Sequence, residues 1–403
     1  MIKYLGSKRT LIPTILDALR RAEAGPGGAG HVIQSVVDLF SGTSRVGHAL
    51  KAAGYRVLSN DHNAYAATLA RCYVQADRED WLDDAAKLVR EFNMLPGAPG
   101  YFTSTFCERS RYLQPRNGER VDAIREAIAR KSLPPELEAV MLTSLMEAAD
   151  RVDSTTGVQM AYLKSWAPRS FNRLELRVPD LLPRAFAGKG EAHMLDALAG
   201  ASSLRADAAY IDPPYNQHSY LGNYHVWESL VRWDKPEVYG VACKRVDVRE
   251  RASALNSRRR FPDMFREVLR RVRAPILIVS FSNEGFLTRA DMESMLAEVG
   301  GAAGSVEVIE REYRRYVGAQ IGIYNPRGHK VGTVSHLTNT EFVYVVRRGT
   351  SVRAQSGAAG ARRRRGRVTP RPAPAESPPP GASAGRASND PARRRRSPLR
   401  SAE

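Results

Sequence analysis

Short apolar, β-branched runs recur along the chain, and stretches of helical periodicity lie between them. "SVVDLF" (35–40) is the first run. A turn, "SGTSRVG", follows it and passes into a helical stretch, "RVGHALKAAG", closed by Gly54; a glycine is the usual residue where a helix must end in a left-handed turn. "YRVLSND" (55–61) reads as a second strand ending on an acid, "AAYIDPPY" (208–215) as a third, "APILIVSFSNEG" (274–285) as a fourth and "TEFVYVVRR" (340–348) as a fifth. Helical runs such as "DMFREVLRRVR" lie between them. Strands that alternate with helices predict an α/β fold with a doubly wound parallel sheet. Residues 62–190 break the alternation. They read as mostly helical ("DWLDDAAKLVREFNML", "RVDAIREAIARK", "PPELEAVMLTSLMEAADRV") with polar, Arg-, Tyr- and Gln-rich connections, an insertion placed after the second strand. No internal repeat is visible.

Composition changes this picture at one end. Residues 351–403 hold 13 arginines against 3 acids, with two "RRRR" clusters, many Pro, Ser and Ala and almost no large apolar side chain. Such a segment cannot bury a core, and a disordered basic tail is expected. It carries more than half of the formal charge of +18. The rest of the chain is still basic, which points to a polyanionic partner such as nucleic acid. The three cysteines, Cys72, Cys107 and Cys243, are scattered. That spacing argues against a disulfide framework and against a zinc site, and favours a reducing cytoplasm. No apolar run reaches membrane-spanning length and the N-terminus has no signal-like core, so neither membrane insertion nor secretion is expected.

Four motifs carry candidate chemistry. In "DLFSGTSRVG" the turn after the first strand sits where doubly wound folds hold a nucleotide-like ligand. It lacks G-x-G-x-x-G, which disfavours a phosphate cradle and favours a ligand with an amino-acid end and a nucleoside end. Asp61, roughly 20 residues on, is either a helix N-cap or an acceptor for two ribose hydroxyls. Asp196, in "GEAHMLDAL" (190–198), is either a solvated loop acid or a contact for the exocyclic amine of adenine. "IDPPY" is the sharpest signal. Pro213 and Pro214 stiffen the chain and remove two backbone donors. The Asp212 carboxylate and the Pro213 carbonyl can accept the two hydrogens of an aromatic amine, and Tyr215 can stack on its ring. An amine held that way keeps its lone pair for attack on a sulfonium methyl, with positioning as the main requirement. A base reaches such a corner only if it leaves the stack.

Together with "KYLGSKR" (3–9), these motifs resemble the Dam-like, alpha-group adenine-N6 DNA methyltransferases, whose elements occur here in the family's order over about residues 1–350. The resemblance implies a Rossmann-like methyltransferase sheet with a helical target-recognition insertion. It implies a catalytic domain of residues 1–61 and 191–350 that binds S-adenosyl-L-methionine, a target-recognition part at 62–190 and a separate tail. It places Tyr4, Gly6 and Lys8 over the methionine end of the cofactor. Asp38, Phe40, Ser41 and Gly42 shape the pocket, Asp61 takes the ribose and Asp196 the adenine. Asp212, Pro213, Pro214 and Tyr215 form the catalytic corner. The implied partner is double-stranded DNA, met by a cytoplasmic monomer with no metal, and the family leaves room for a cognate restriction endonuclease. Segment 313–339 is a further candidate for DNA contact.

Two departures stand out. The second glycine of the family's F-x-G-x-G turn is Ser44, which could tighten the pocket while neighbouring Gly47 relieves it. The stretch after "DPPY" is also rich in His and aromatics, so His218 and His225 are candidates for either substrate contact or packing. Other acceptors for the same chemistry are RNA, cytosine N4 or a protein amide, and a catalytically decayed DNA-binding protein is the alternative of another class.

Overall fold

The alternating runs assemble into a seven-stranded sheet in the computed structural model, which describes residues 1–24, 32–160, 162–314, 323–324, 330–332 and 338–349. The tail 351–403 and most of segment 313–339 lie outside the described residues. The chain opens with α1 (Ile12–Ala24), β1 (Ser35–Asp38), α2 (Arg45–Ala52) and β2 (Arg56–Asn60). Helices α3 (Ala64–Ala70), α4 (Arg78–Met94), α5 (Pro115–Lys131) and α6 (Pro135–Arg151) follow. The sheet resumes with β3 (Glu191–His193), α7 (Ala197–Ser203) and β4 (Ala208–Ile211). After the Asp-Pro-Pro-Tyr corner come α8 (Tyr220–Asn223), α9 (His225–Arg232) and a two-stranded ribbon of β5 (Val238–Tyr239) and β6 (Lys244–Arg245). Then come α10 (Phe261–Arg271), β7 (Ile276–Ser282), α11 (Arg289–Gly300) and β8 (Ser305–Arg314). Strands β9 (Ile323–Tyr324) and β10 (Lys330–Gly332) pair with each other, and β11 (Thr338–Arg347) completes the main sheet.

The strand order is β3-β2-β1-β4-β7-β11-β8. The first five strands are parallel, as the sequence pattern predicts. The last two are not: β11 runs antiparallel to both β7 and β8. The fifth predicted strand is thus a real strand of opposite direction, and β3 and β8 were not anticipated. β3 is only three residues long. β8 alternates apolar with charged residues ("SVEVIEREYR"), which hides it from a search for continuous apolar runs.

Residues of alternate parity separate the two faces. Val36, Tyr210, Ile276, Ile278 and Val343 pack with α1 and α2 on one side. Val37, Ala209, Ile211, Leu277 and Val279 pack with α10 and α11 on the other. A side-chain period of two on strands covered on both faces produces this sorting. Gly54 ends α2 as expected, at φ +96°, with its N–H on the Lys51 carbonyl. The helices of residues 64–151 share a third cluster, in which Phe92, Phe102, Phe106, Ile124 and Leu145 meet Tyr224, Trp227 and Leu230. The helical block is therefore continuous with the segment that follows the Asp-Pro-Pro-Tyr corner. Among the described residues no helix is long and apolar enough to cross a membrane.

The strand order reverses at β1: β2 and β3 extend the sheet one way, β4 and β7 the other. The carboxyl ends of β1 and β4 flank that switch point, where open α/β sheets bind their ligands.

Candidate active site

A cavity of about 380 Å³ opens at this switch point. Its lining includes Tyr4, Gly6, Lys8, Asp38, Phe40, Ser41, Gly42, Asp61, Asp196, Asp212 and Pro214. Of the residues singled out in the sequence, Pro213 and Tyr215 stand just behind this wall. Tyr215 packs edge-on against Phe281, with ring centroids 5.6 Å apart. Among the described residues no hydrogen bond engages the Pro213 carbonyl.

The turn after β1 is pinned from three sides. The Ser41 N–H donates to the Asn60 carbonyl (2.9 Å), the Gly42 N–H to Asp61 Oδ2 (3.0 Å) and the Leu39 N–H to the Tyr210 carbonyl (3.1 Å). Gly42 has φ +50°, and a Cβ there would lie 3.3 Å from the Tyr4 ring. Ser44 also takes a left-handed conformation (φ 59°, ψ 22°) at the start of α2, and its buried hydroxyl has no hydrogen-bond partner among the described residues. Serine thus adopts the backbone geometry for which glycine is suited. Gly47 is fitted closely: a Cβ would sit 2.9 Å from Ser59 Oγ and from Val74 Cγ2.

Asp61 also accepts from the backbone N–H (3.0 Å) and side-chain amide (3.1 Å) of Asn63. The cap position of α3 belongs to Asn63, not to Asp61. Asp196 does cap a helix: its Oδ1 receives the N–H groups of Leu198 and Ala199 while the residue lines the cavity.

The N-terminal segment is fixed. Lys3 Nζ donates to the Asp150 carbonyl and to Asp153, and the Leu5 N–H to the Tyr224 hydroxyl (2.6 Å). Tyr4 stacks between Tyr220 (5.2 Å, 10°) and Tyr224 (4.5 Å, 15°) and meets the Tyr65 hydroxyl at 3.2 Å. Gly6, at φ +75°, admits the Tyr220 hydroxyl, which a Cβ would approach to 3.0 Å. Lys8 is buried. Its ammonium lies 3.0 Å from Asp212 Oδ1 and 2.5 Å from Glu341 Oε1, so it is tied to the Asp-Pro-Pro-Tyr corner.

Electrostatics single out two acids. Asp38 is 1% exposed, and among the described residues its carboxyl has no hydrogen bond of good geometry, only the opposing pull of the nearby Gly47 backbone N–H. Burial pushes its carboxyl up to about 8, and the charges of Asp212 and Asp61 add to the shift. Burial also raises Asp212, to about 6, with Lys8 opposing and Glu341 reinforcing. For Lys8, burial favours the neutral amine, but Asp212 and Glu341 outweigh it and hold the ammonium well above its ordinary range. Arg45, also on the cavity wall, has an unpartnered Nε, and burial lowers its pKa with help from Arg9.

Sequence reasoning missed several contributors. Asn60 ties three loops together, donating to the Leu39 and Leu195 carbonyls and accepting from the Leu195 N–H. Residues 250–256 form part of the wall, and Asn256 donates to the Asn216 and His218 carbonyls (both 3.0 Å), which steadies the loop after Tyr215. Tyr220 and Tyr224 stand four apart in the stretch noted for its histidines, the spacing that puts two rings on one helical face. Glu341 is an acid inside the apolar run "TEFVYVV", a mismatch visible in the sequence. His225 is packed, not exposed to substrate: it is fully buried, hydrogen-bonded to the Gln159 carbonyl (2.9 Å), and burial depresses it to about 3. His218 is exposed at the loop.

A family model described as D12 class N6 adenine-specific DNA methyltransferase matches residues 4–277. Similar proteins include the type II methyltransferase M.FokI of Planomicrobium okeanokoites, 30% identical over 78% of this chain and 50% of that protein. The modification methylase StsI of Streptococcus sanguinis is 27% identical over 78% of this chain and 49% of its own length. The type II methyltransferase M.NlaIII of Neisseria lactamica is 25% identical over 85% of this chain and 98% of its own. The chain thus spans about half the length of the first two relatives and nearly all of the third.

Proposed function

The chain belongs to the D12 class N6 adenine-specific DNA methyltransferase family, and from that premise we propose that it methylates N6 of adenine at a specific site in double-stranded DNA, using S-adenosyl-L-methionine. The observation that carries this reading is the shared cavity. Asp212 and Pro214 of the corner after β4 and the Asp38 and Asp61 loops after β1 and β2 meet on it. A buried carboxylate with so little hydrogen bonding is costly unless a cation completes it, so Asp38 suits the ammonium of an amino-acid moiety. Arg45 offers the opposite charge for its carboxylate, and Asp61 retains acceptor capacity for ribose hydroxyls.

S-adenosyl-L-methionine, when bound, supplies a methyl group activated by sulfonium sulfur. The chain's own residues supply positioning. Asp212 and the Pro213 carbonyl accept the two hydrogens of the extruded adenine amine, and Tyr215 faces its ring. The nitrogen lone pair stays available to form the new N–C bond as the S–C bond breaks, its electrons remaining on sulfur. Asp212 is the nearest acceptor for the proton the methylated amine sheds, and its raised pKa suits it to take and release that proton near neutral pH. The helical block of residues 62–190 reads the target; its exposed Arg109, Arg116, Lys164, Arg173 and Arg177 support contact with a polyanion. The setting is the cytoplasm, on nucleoid DNA, as a monomer with a cognate restriction endonuclease as partner.

The test is transfer of labelled methyl groups to duplex DNA, RNA and protein side by side, followed by nucleoside analysis. Label in N6-methyl-2′-deoxyadenosine from duplex DNA alone supports the reading. Label in N4-methylcytosine, RNA or protein moves the same chemistry to another acceptor.

A further inference from the structure

Lys8 and Glu341 stand 333 residues apart in the chain, yet their charged groups meet inside the protein at 2.5 Å. The topology explains how. β11 runs antiparallel to β7, with Glu341 opposite Ser282. Its beginning therefore lies at the edge where the parallel strands end, and Glu341 arrives beside the corner that follows β4. Lys8 Nζ then bridges Glu341 Oε1 and Asp212 Oδ1, the latter at 3.0 Å. Glu341 is 1% exposed and the Lys8 side chain 7%.

Two carboxylates share one ammonium here. A buried ion network of this kind is a poor source of stability, because desolvation offsets much of the attraction. Its use lies in geometry. Were Lys8 paired with Asp212 alone, the ammonium could follow that carboxylate and draw on both of its oxygens. Anchored from the strand side, the ammonium can hold only the oxygen nearest to it. We propose that Glu341 is a positioning residue for methyl transfer: by anchoring Lys8 it fixes Asp212 through Oδ1 and leaves the other carboxylate oxygen to the substrate amine. The proposal rests on the methyltransferase reading of the site. It predicts that Glu341 acts on turnover and on the ionisation of Asp212.

The charged and titratable groups around Asp212 are Lys8 and Glu341, the Asp38 carboxyl, and the hydroxyls of Tyr210, Tyr215 and Tyr220. Glu341→Gln removes one negative neighbour and gives Lys8 wholly to Asp212. Three readouts follow. On duplex DNA, kcat falls on the order of 100-fold, the loss a small misplacement of a reacting group produces. The acidic limb of the kcat profile moves to lower pH. In cofactor-free protein, the carboxyl carbon signal of Asp212, assigned with Asp212→Asn, titrates at lower pH than in wild type. Glu341→Asp keeps the charge with a shorter reach and supplies the same readouts if the Gln variant fails to fold: its turnover falls while Asp212 still titrates above its ordinary range.

An active wild type matched by Glu341→Gln in turnover, acidic limb and Asp212 titration would overturn this proposal alone. Wild-type protein that binds the cofactor and methylates no DNA would overturn the reading beneath it.

Discussion

Replacing Ser44 with glycine should make the protein more stable. Ser44 sits at φ 59° and ψ 22°, a conformation that costs an L-residue with a Cβ about 1–2 kcal/mol. Its hydroxyl is buried at 0% exposure without a hydrogen-bond partner, which adds about 1 kcal/mol or more. Glycine removes both terms. Against it stand a more flexible unfolded chain, about 0.4–1 kcal/mol, and the lost packing of one small side chain, about 0.8 kcal/mol. The balance is about 1 kcal/mol in favour of glycine, a rise in Tm of about 2 °C for a chain of this size. Ser44→Ala discards the unpaired hydroxyl and keeps both the backbone cost and the Cβ packing, so on the same terms it should gain about 1 kcal/mol and melt above wild type, level with Ser44→Gly. Thermal unfolding by circular dichroism, with the three proteins side by side, reads the order directly. A Ser44→Gly protein that melts below wild type would refute the reasoning and would mean that the hydroxyl makes a stabilising contact.

The neighbouring Gly47→Ala should act in the opposite direction. Its Cβ would crowd Ser59 and Val74 at 2.9 Å and Asp38 Oδ2 at 3.3 Å, an overpacking cost of about 1–3 kcal/mol. A lower Tm and weaker cofactor binding are expected, and an unchanged Tm would contradict the packing. Asp38, raised to about 8, is mostly protonated at pH 7 in the free protein. A cation bound beside it favours the carboxylate, so binding S-adenosyl-L-methionine at pH 7 should release most of a proton, and affinity should climb with pH until about 8. Calorimetry in buffers of different ionisation enthalpy measures this; a count of zero protons would sink the assignment. Because the folded state holds that proton more tightly than the unfolded chain, cofactor-free wild type loses stability as pH rises from about 4 to about 8. Asp38→Asn should therefore gain Tm over wild type at pH 8 more than at pH 5, and thermal scans at the two values check it.

Local signals carried much of the site into view. The turn after β1, the acid ending β2 and the Asp-Pro-Pro-Tyr corner each lie within a few consecutive residues, so their spacing is readable along the chain. What escaped depends on tertiary closure. Glu341 joins Lys8 and Asp212 only because β11 turns antiparallel, and strand direction leaves no periodic trace. Tyr220 and Tyr224 matter because Tyr4 from the far N-terminus slides between them. Asn60 looks like any polar residue near a strand end until three loops converge on it. His225 shows the reverse: a residue type suggestive of chemistry, placed where burial and a carbonyl partner keep it neutral. At Ser44 the residue departs from the family's glycine, yet its φ of 59° lies in the left-handed region that glycine favours.

The central claim is that Asp212 and its proline-stiffened loop direct methyl transfer to adenine N6. Its most direct test is base-resolved methylation of genomic DNA from a methylation-free host expressing this chain, beside the same host expressing Asp212→Ala. N6-methyladenine at one recurring sequence, present with wild type and absent with the variant, is the predicted result. An equal adenine mark from both proteins, or none from a wild type that folds and binds S-adenosyl-L-methionine, would contradict it.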